Sequence, residues 1–211
     1  MKMKICRNVL GCGMIIAAFA GTDAQDLVQN GGFEFEGTNP MHSSNVRSHW
    51  HGWTSVRMKM PENEKKELLS QTRHEAVNED PATGTAALAL ITPKNEYIKS
   101  TGHISNTVVQ TVVLPVRKAA GRYRLSAKLR GIPGSSLMIF IIPLKKDGKK
   151  YTTGGKTITF AVRLVEKWQD LTKDFALPAD TAAFRLEFSL YGSGSAYVDD
   201  VQVVPVKQIS R

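Results

Sequence analysis

Between Gly121 and Gly131 the chain reads GRYRLSAKLRG, and within it Tyr123, Leu125, Ala127 and Leu129 alternate with Arg122, Arg124, Ser126, Lys128 and Arg130. A period of two places the apolar set on one face of an extended strand and the basic set on the other, whereas a helix would scatter both sets around its circumference. Phe184, Leu186, Phe188 and Leu190 alternate in the same way with Arg185, Glu187, Ser189 and Tyr191. Two strands with one apolar face each require a shared interior and predict a two-sided sheet structure. The run SLMIFIIPL from Ser136 to Leu144 is apolar on both faces, as expected of a central strand.

Further strands are expected near Ala86 to Thr92, Thr107 to Leu114, Thr157 to Val162, Asp170 to Ala176 and Tyr197 to Val204, with another near Leu27. Glycine and proline punctuate these runs at Pro115, Gly121, Gly131 to Gly134, Gly148, Gly154-Gly155, Pro178 and Gly192 to Gly194, the spacing of hairpins and Greek-key loops in an all-β sandwich or barrel. The exception is a polar stretch from Met58 to Thr83. There Glu62 to His74 has room for about three helical turns before Asp80-Pro81 stops it, and it reads as a surface excursion.

The N-terminus carries Lys2, Lys4 and Arg7, then a mostly apolar run from Val9 to Ala20, then small residues ending at Ala24. This is the plan of a secretory signal peptide, and the run is shorter than the roughly 20 residues that span a bilayer. Cleavage is expected after Ala24, with Ala20 the competing site, leaving one domain over residues 25–211. Val9 to Cys12 faintly resembles a lipoprotein motif, but most of the apolar run follows Cys12, against that reading. Both cysteines, Cys6 and Cys12, lie in the segment to be removed, so no disulfide is expected. The location implied is the periplasm, the cell surface or the medium.

The chain carries a formal net charge of +9, and loss of the signal removes three basic residues and one acidic residue. The domain stays basic, which favours anionic partners. Its cations are spread over many strands instead of clustering among aromatics, which argues against nucleic acid.

Three separated signatures then meet: LVQNGGFE at Leu27 to Glu34, Gln110 followed by GRYRL at Gly121 to Leu125, and YVDDV at Tyr197 to Val201. Together they resemble the jelly-roll carbohydrate-binding modules of the cellulose- and xylan-binding type, in the galactose-binding-like group of sandwiches. Trp168 to Leu171 with Phe175 resembles the strand that precedes the last pair in that family. The resemblance covers about residues 25 to 206. It implies a jelly-roll sandwich of two antiparallel sheets and a poly- or oligosaccharide ligand; the basic charge adds acidic glycans to the candidates, and partner proteins in a glycan-handling assembly are a further expectation. It also implies a structural calcium held by Glu34 and Asp199. Strict alternation puts Asp199 on the inward face with Tyr197, Val201 and Val203, and Asp200 on the other. The open alternative is that the two acids pair with Arg or Lys, or cap backbone amides, without a metal. Gly31-Gly32 is expected to allow a tight turn, after which Phe33 enters the core.

A sugar presents C–H patches ringed by hydroxyls, so its site needs an aromatic face with hydrogen-bonding groups around it. Tyr191 stands on the polar side of its strand beside Arg185 and Glu187, and Gln110 and Arg124 would join it if their strands share that face. Trp50, Trp53 and Trp168 each read mainly as core tryptophans, and Trp53 is the one also assigned to the groove. Arg122, Lys128 and Arg130 would extend the groove toward an acidic glycan or would be plain surface. His49 and His51, two apart, lack a third ligand for a transition metal.

No pair of facing carboxylates of the glycosidase kind is visible. The acidic motif of jelly-roll glucanases is absent, and no serine elbow occurs. A lyase using Tyr, Arg, Gln and His stays open as the less favoured enzymatic reading. The reading favoured is a non-catalytic carbohydrate binder, with a surface structural or protein-interaction sandwich as the alternative.

Overall fold

The alternation in the sequence becomes two antiparallel sheets packed face to face. The computed structural model describes residues 25–34, 49–115 and 121–206. The signal-peptide reading, Cys6, Cys12 and the cleavage site lie outside the described residues.

One sheet has the order β1 (His51–Val56), β4 (Ile104–Val113), β10 (Ala183–Tyr191), β6 (Ser136–Asp147) and β7 (Lys150–Thr153), with β8 (Ile158–Arg163) also paired to β6. The second runs β2 (Arg73–Val77), β3 (Ala87–Thr92), β11 (Gly194–Pro205), β5 (Gly121–Gly131) and β9 (Gln169–Leu177). These are called sheets A and B. From β8 onward successive strands alternate between the sheets, the crossing pattern of a jelly roll.

The apolar faces meet as expected. Tyr123, Leu125 and Leu129 of β5, Leu137, Ile139 and Ile141 of β6, and Phe184, Leu186, Phe188 and Leu190 of β10 belong to one buried cluster. Each such side chain removed from water contributes about 1.5–3 kcal/mol, which makes this shared interior the main source of stability. The doubly apolar β6 is central, with β10 along one edge and β7 and β8 sharing the other. Phe33 is fully buried with its ring 5.2 Å from Trp50, whose indole N–H donates to the Asn30 carbonyl.

Three local expectations change. The Met58 to Thr83 stretch is not only a surface excursion. Its helix α1 (Glu62–Gln71) ends before His74 because the next five residues pair with β3 as the edge strand of sheet B. No strand forms near Leu27, where the Leu27 N–H donates to the Val203 carbonyl and the Val203 N–H to the Asp26 carboxylate. The turn beside Gly31-Gly32 takes its left-handed residues at Asn30 (φ 51°) and Phe33 (φ 57°). Gly31 serves close approach instead, since a Cβ there would lie 1.8 Å from the Val201 carbonyl oxygen. Among the described residues no helix is long and apolar enough to cross a membrane.

Candidate functional site

Pairing register decides which side chains share the outer face of sheet A. Trp53 is opposite Thr107, Thr107 opposite Ser189, and Ser189 opposite Met138. One row away His51, Val109, Glu187 and Phe140 align, and on the other side Ser55, Ser105, Tyr191 and Ser136. Tyr191, Arg185, Glu187 and Trp53 therefore lie on one face.

That face has a buried polar floor. Ser105, Thr107, Glu187 and Ser189 are all buried although they point away from the core, and the Thr107 and Ser189 hydroxyls are 2.8 Å apart. Trp53 is 39% exposed beside this floor, with the His51 ring 6.2 Å away, and Tyr191 is partly accessible with its ring edge-on to Phe140 at 6.4 Å. At ordinary strand spacings Trp53 and Tyr191 stand about 12 Å apart. Arg185 Nε approaches Glu187 Oε1 at 2.6 Å as an ion pair, although neither atom makes a hydrogen bond of good geometry. Burial pushes the Glu187 carboxyl up from its ordinary value, and the Arg185 guanidinium pulls it partly back.

Gln110 and Arg124 do not join this site. Gln110 is on the inward face of β4 opposite Leu186, buried, and its amide is engaged with Gln29. Arg124 projects from the outer face of sheet B, across the sandwich, where Asp174 holds it with two bonds of 2.7 and 3.1 Å. Its strand shares the fold with β10 but not the sheet, and alternation alone cannot assign strands to sheets.

Sheet B carries a second cluster that the sequence did not single out. Arg130 lies 4.3 Å from the Tyr197 ring centre and 5.0 Å from that of Trp168, and it pairs with Asp80. Trp168 thus covers Arg130 instead of entering the core, and its indole N–H donates to the Asp80 carbonyl. A cavity of about 290 Å³ opens beside Arg130, Ile132, Glu166, Ser195 and Tyr197.

Glu34 and Asp199 come close together, joined by one turn. Glu34 Oε1 accepts the amides of Thr85 and Ala86 and its Oε2 the Thr85 hydroxyl; Asp199 Oδ2 accepts the amides of Ala82 and Thr83 and its Oδ1 the amide of Asp200. Asp199 does not point inward. Asp200 takes φ 49° in a bulge between Asp199 and Gln202, so Asp199 stays on the outer side with Tyr197 while Val201 and Val203 turn to the core. The bulge also brings Asp200 to the same turn, where Oδ1 accepts the Thr83 hydroxyl. Burial raises the Asp199 carboxyl to about 6 against the amides that lower it.

Calcium takes six to eight oxygen ligands. Here the acids face N–H and O–H donors, and the described residues contain no group of three or more His, Cys, Asp or Glu that could hold a metal.

No family model and no curated protein matches the sequence. Solved structures do match. The enzymatically active domain of tailspike protein 4 of bacteriophage CBA120 superposes with a TM-score of 0.61 at 11% identity over 86% of this chain, which spans 21% of the tailspike chain. The module TmCBM61, solved with β-1,4-galactotriose, gives 0.56 at 16% identity over 87% of this chain and 100% of its own. A family 11 carbohydrate-binding module from Clostridium thermocellum, in complex with a mixed-linked tetrasaccharide, gives 0.50 at 11% over 76% of this chain and 91% of its own. The resemblance read from the three signatures holds at the level of fold, a jelly-roll sandwich of the kind used by carbohydrate-binding modules.

Proposed function

We propose that this protein is an exported, non-catalytic carbohydrate-binding protein that lays a poly- or oligosaccharide along the outer face of sheet A. The observation that carries this reading is the pairing of two accessible aromatics, Trp53 and Tyr191, with a hydroxyl-rich floor of Ser105, Thr107 and Ser189. Stacking on C–H patches and hydrogen bonding to hydroxyls are the two demands of a sugar. Glu187 is the one carboxylate on the described strands of this face, and Arg185 engages it, so the facing acid pair of a glycosidase is not assembled there.

The test is a glycan array probed with the purified protein, in calcium and again in chelator. Retention of one glycan class, abolished by Trp53→Ala, supports the reading, whereas a folded protein that retains none overturns it. Loss of binding in chelator would support the calcium that the resemblance implies at Glu34 and Asp199; unchanged binding would leave hydrogen bonds as the clamp.

A protein-interaction role is favoured by one observation, the exposure of Ile132 (56%) and Val165 (41%) beside the sheet B cavity. Substituting both with Ser would then abolish partner capture and spare glycan binding.

A further inference from the structure

We infer that the sheet A groove selects a glycan bearing carboxylates, and that Arg185, with Lys146 beyond it, reads the acidic group. This rests on the carbohydrate-binding reading and names its ligand class.

The paired cations of the two faces differ in which nitrogen their acid takes. On sheet B three cations of the β5 face are paired at short range, Arg124 with Asp174, Lys128 with Asp170 and Arg130 with Asp80. In each of these the acid takes a terminal nitrogen, whereas Glu187 approaches Arg185 at Nε. On sheet A the Arg185 side chain is 41% exposed although its Nε is covered against Glu187, so what reaches solvent is the stem and the terminal end of the guanidinium. No partner engages its Nη atoms among the described residues. A guanidinium anchored through Nε with its Nη end open matches a planar carboxylate, and Glu187 is the group that aims it.

The same end of the face offers a place for the rest of the ring. Thr111, Arg185 and Ile142 align in one row, and Val113, Ala183 and Leu144 in the next. Just past them lies a cavity of about 280 Å³ whose walls include Val113, Lys146, Tyr151 and Asp180. Tyr151 is 39% exposed there, a stacking surface beside a cation. Asp180, the one acid of that wall, is engaged by Lys145 and not by Lys146. At ordinary strand spacings Lys146 and Arg185 are about 14 Å apart, which suits two acidic units of one polymer and not a single small sugar. The groove thus has a neutral half at Trp53 and Tyr191 and an acid-reading half at Arg185, Lys146 and Tyr151.

The test is calorimetric titration of the purified protein with an oligogalacturonate, with a neutral galacto-oligosaccharide of equal length and with a sulfated glycan, each at low and high salt. The uronate is expected to bind tightest and to weaken with salt. Arg185→Ala is expected to cost it about 10-fold or more, on the usual worth of a charge-assisted hydrogen bond. Arg185→Lys should also lose, because an ammonium cannot fork. Both variants are checked by circular dichroism for a native melt, and the salt dependence of the unmutated protein tests the inference without any variant. Equal binding of neutral and acidic oligosaccharides, or tighter binding of the sulfated glycan, overturns the carboxylate assignment and leaves sugar binding intact. No binding of any of the three overturns the carboxylate assignment, and a folded protein that also retains nothing on the glycan array overturns the carbohydrate-binding reading.

Discussion

Gln110 grips Gln29 with both ends of its amide, accepting the Gln29 N–H at 2.9 Å and donating to the Gln29 carbonyl at 2.7 Å. The grip fastens the segment before β1 to the middle of sheet A, and it accounts for a glutamine on the core face of β4. Gln110→Ala removes two part-buried hydrogen bonds and is expected to cost about 1–3 kcal/mol. Chemical denaturation measures this. Glycan affinity of the folded variant should match the unmutated protein, because Gln110 lies on the far side of β4 from the groove; a selective loss of affinity would return it to the site.

Trp53→Ala has the opposite profile. The ring is 39% exposed, so its removal should change stability by less than about 1 kcal/mol. Loss of the stacking surface is expected to weaken glycan binding about 10-fold or more. Arg124→Ala serves as the control, since its exposed ion pair with Asp174 is on the other sheet. Equal losses in the two variants would count against the sheet A groove.

Asp199 gives stability a pH dependence of definite sign. Its folded carboxyl titrates at about 6 against an ordinary 3.8, so the folded chain binds more protons than the unfolded one between those values. This contribution favours the fold fully below the ordinary value and is lost as pH rises through the folded one. Burial moves Glu187 and Asp26 in the same direction, while burial lowers His74 from 6.5 and so opposes them as pH falls. Melting temperatures of the unmutated protein and Asp199→Asn, followed from about pH 7 to about pH 5, isolate the one group. The advantage of the unmutated protein should be larger at the lower pH, and a constant difference would refute the assignment.

The clamp at Glu34 is expected to be worth about 2–3 kcal/mol, since Glu34→Ala strands the amides of Thr85 and Ala86. Gly84→Ala should be comparably harmful: φ is 60° there, and the new Cβ would stand 2.0 Å from Glu34 Oε1. With hydrogen bonds as the clamp, calcium or chelator should leave the melting temperature of the unmutated protein unchanged. A rise with calcium would mean that the 82–86 turn gives way to an ion.

Some of this protein is written in its sequence because it is local. Alternation along β5 and β10 assigns each residue to the apolar or the polar side of its own strand, and the side chains of Leu125, Leu186 and Phe188 on one side, and Arg185 and Tyr191 on the other, follow it. The Gly-Gly-Phe segment and the Asp-Asp pair likewise meet, because the jelly roll pairs what its three signatures resemble.

What alternation cannot carry is the assignment of strands to sheets and the count of residues across a bulge. Arg124 and Arg185 have the same local pattern, yet non-local pairing sends β5 to one sheet and β10 to the other, so their charged sides face away from each other. One left-handed residue, Asp200, shifts the register and reverses the side predicted for Asp199 relative to Val201 and Val203. Gln110 reads as a polar residue fit for a groove until the backbone of Gln29, eighty-one positions earlier, comes to rest against it. Side-chain period is a property of the strand, whereas face and partner are properties of the packed pair of sheets.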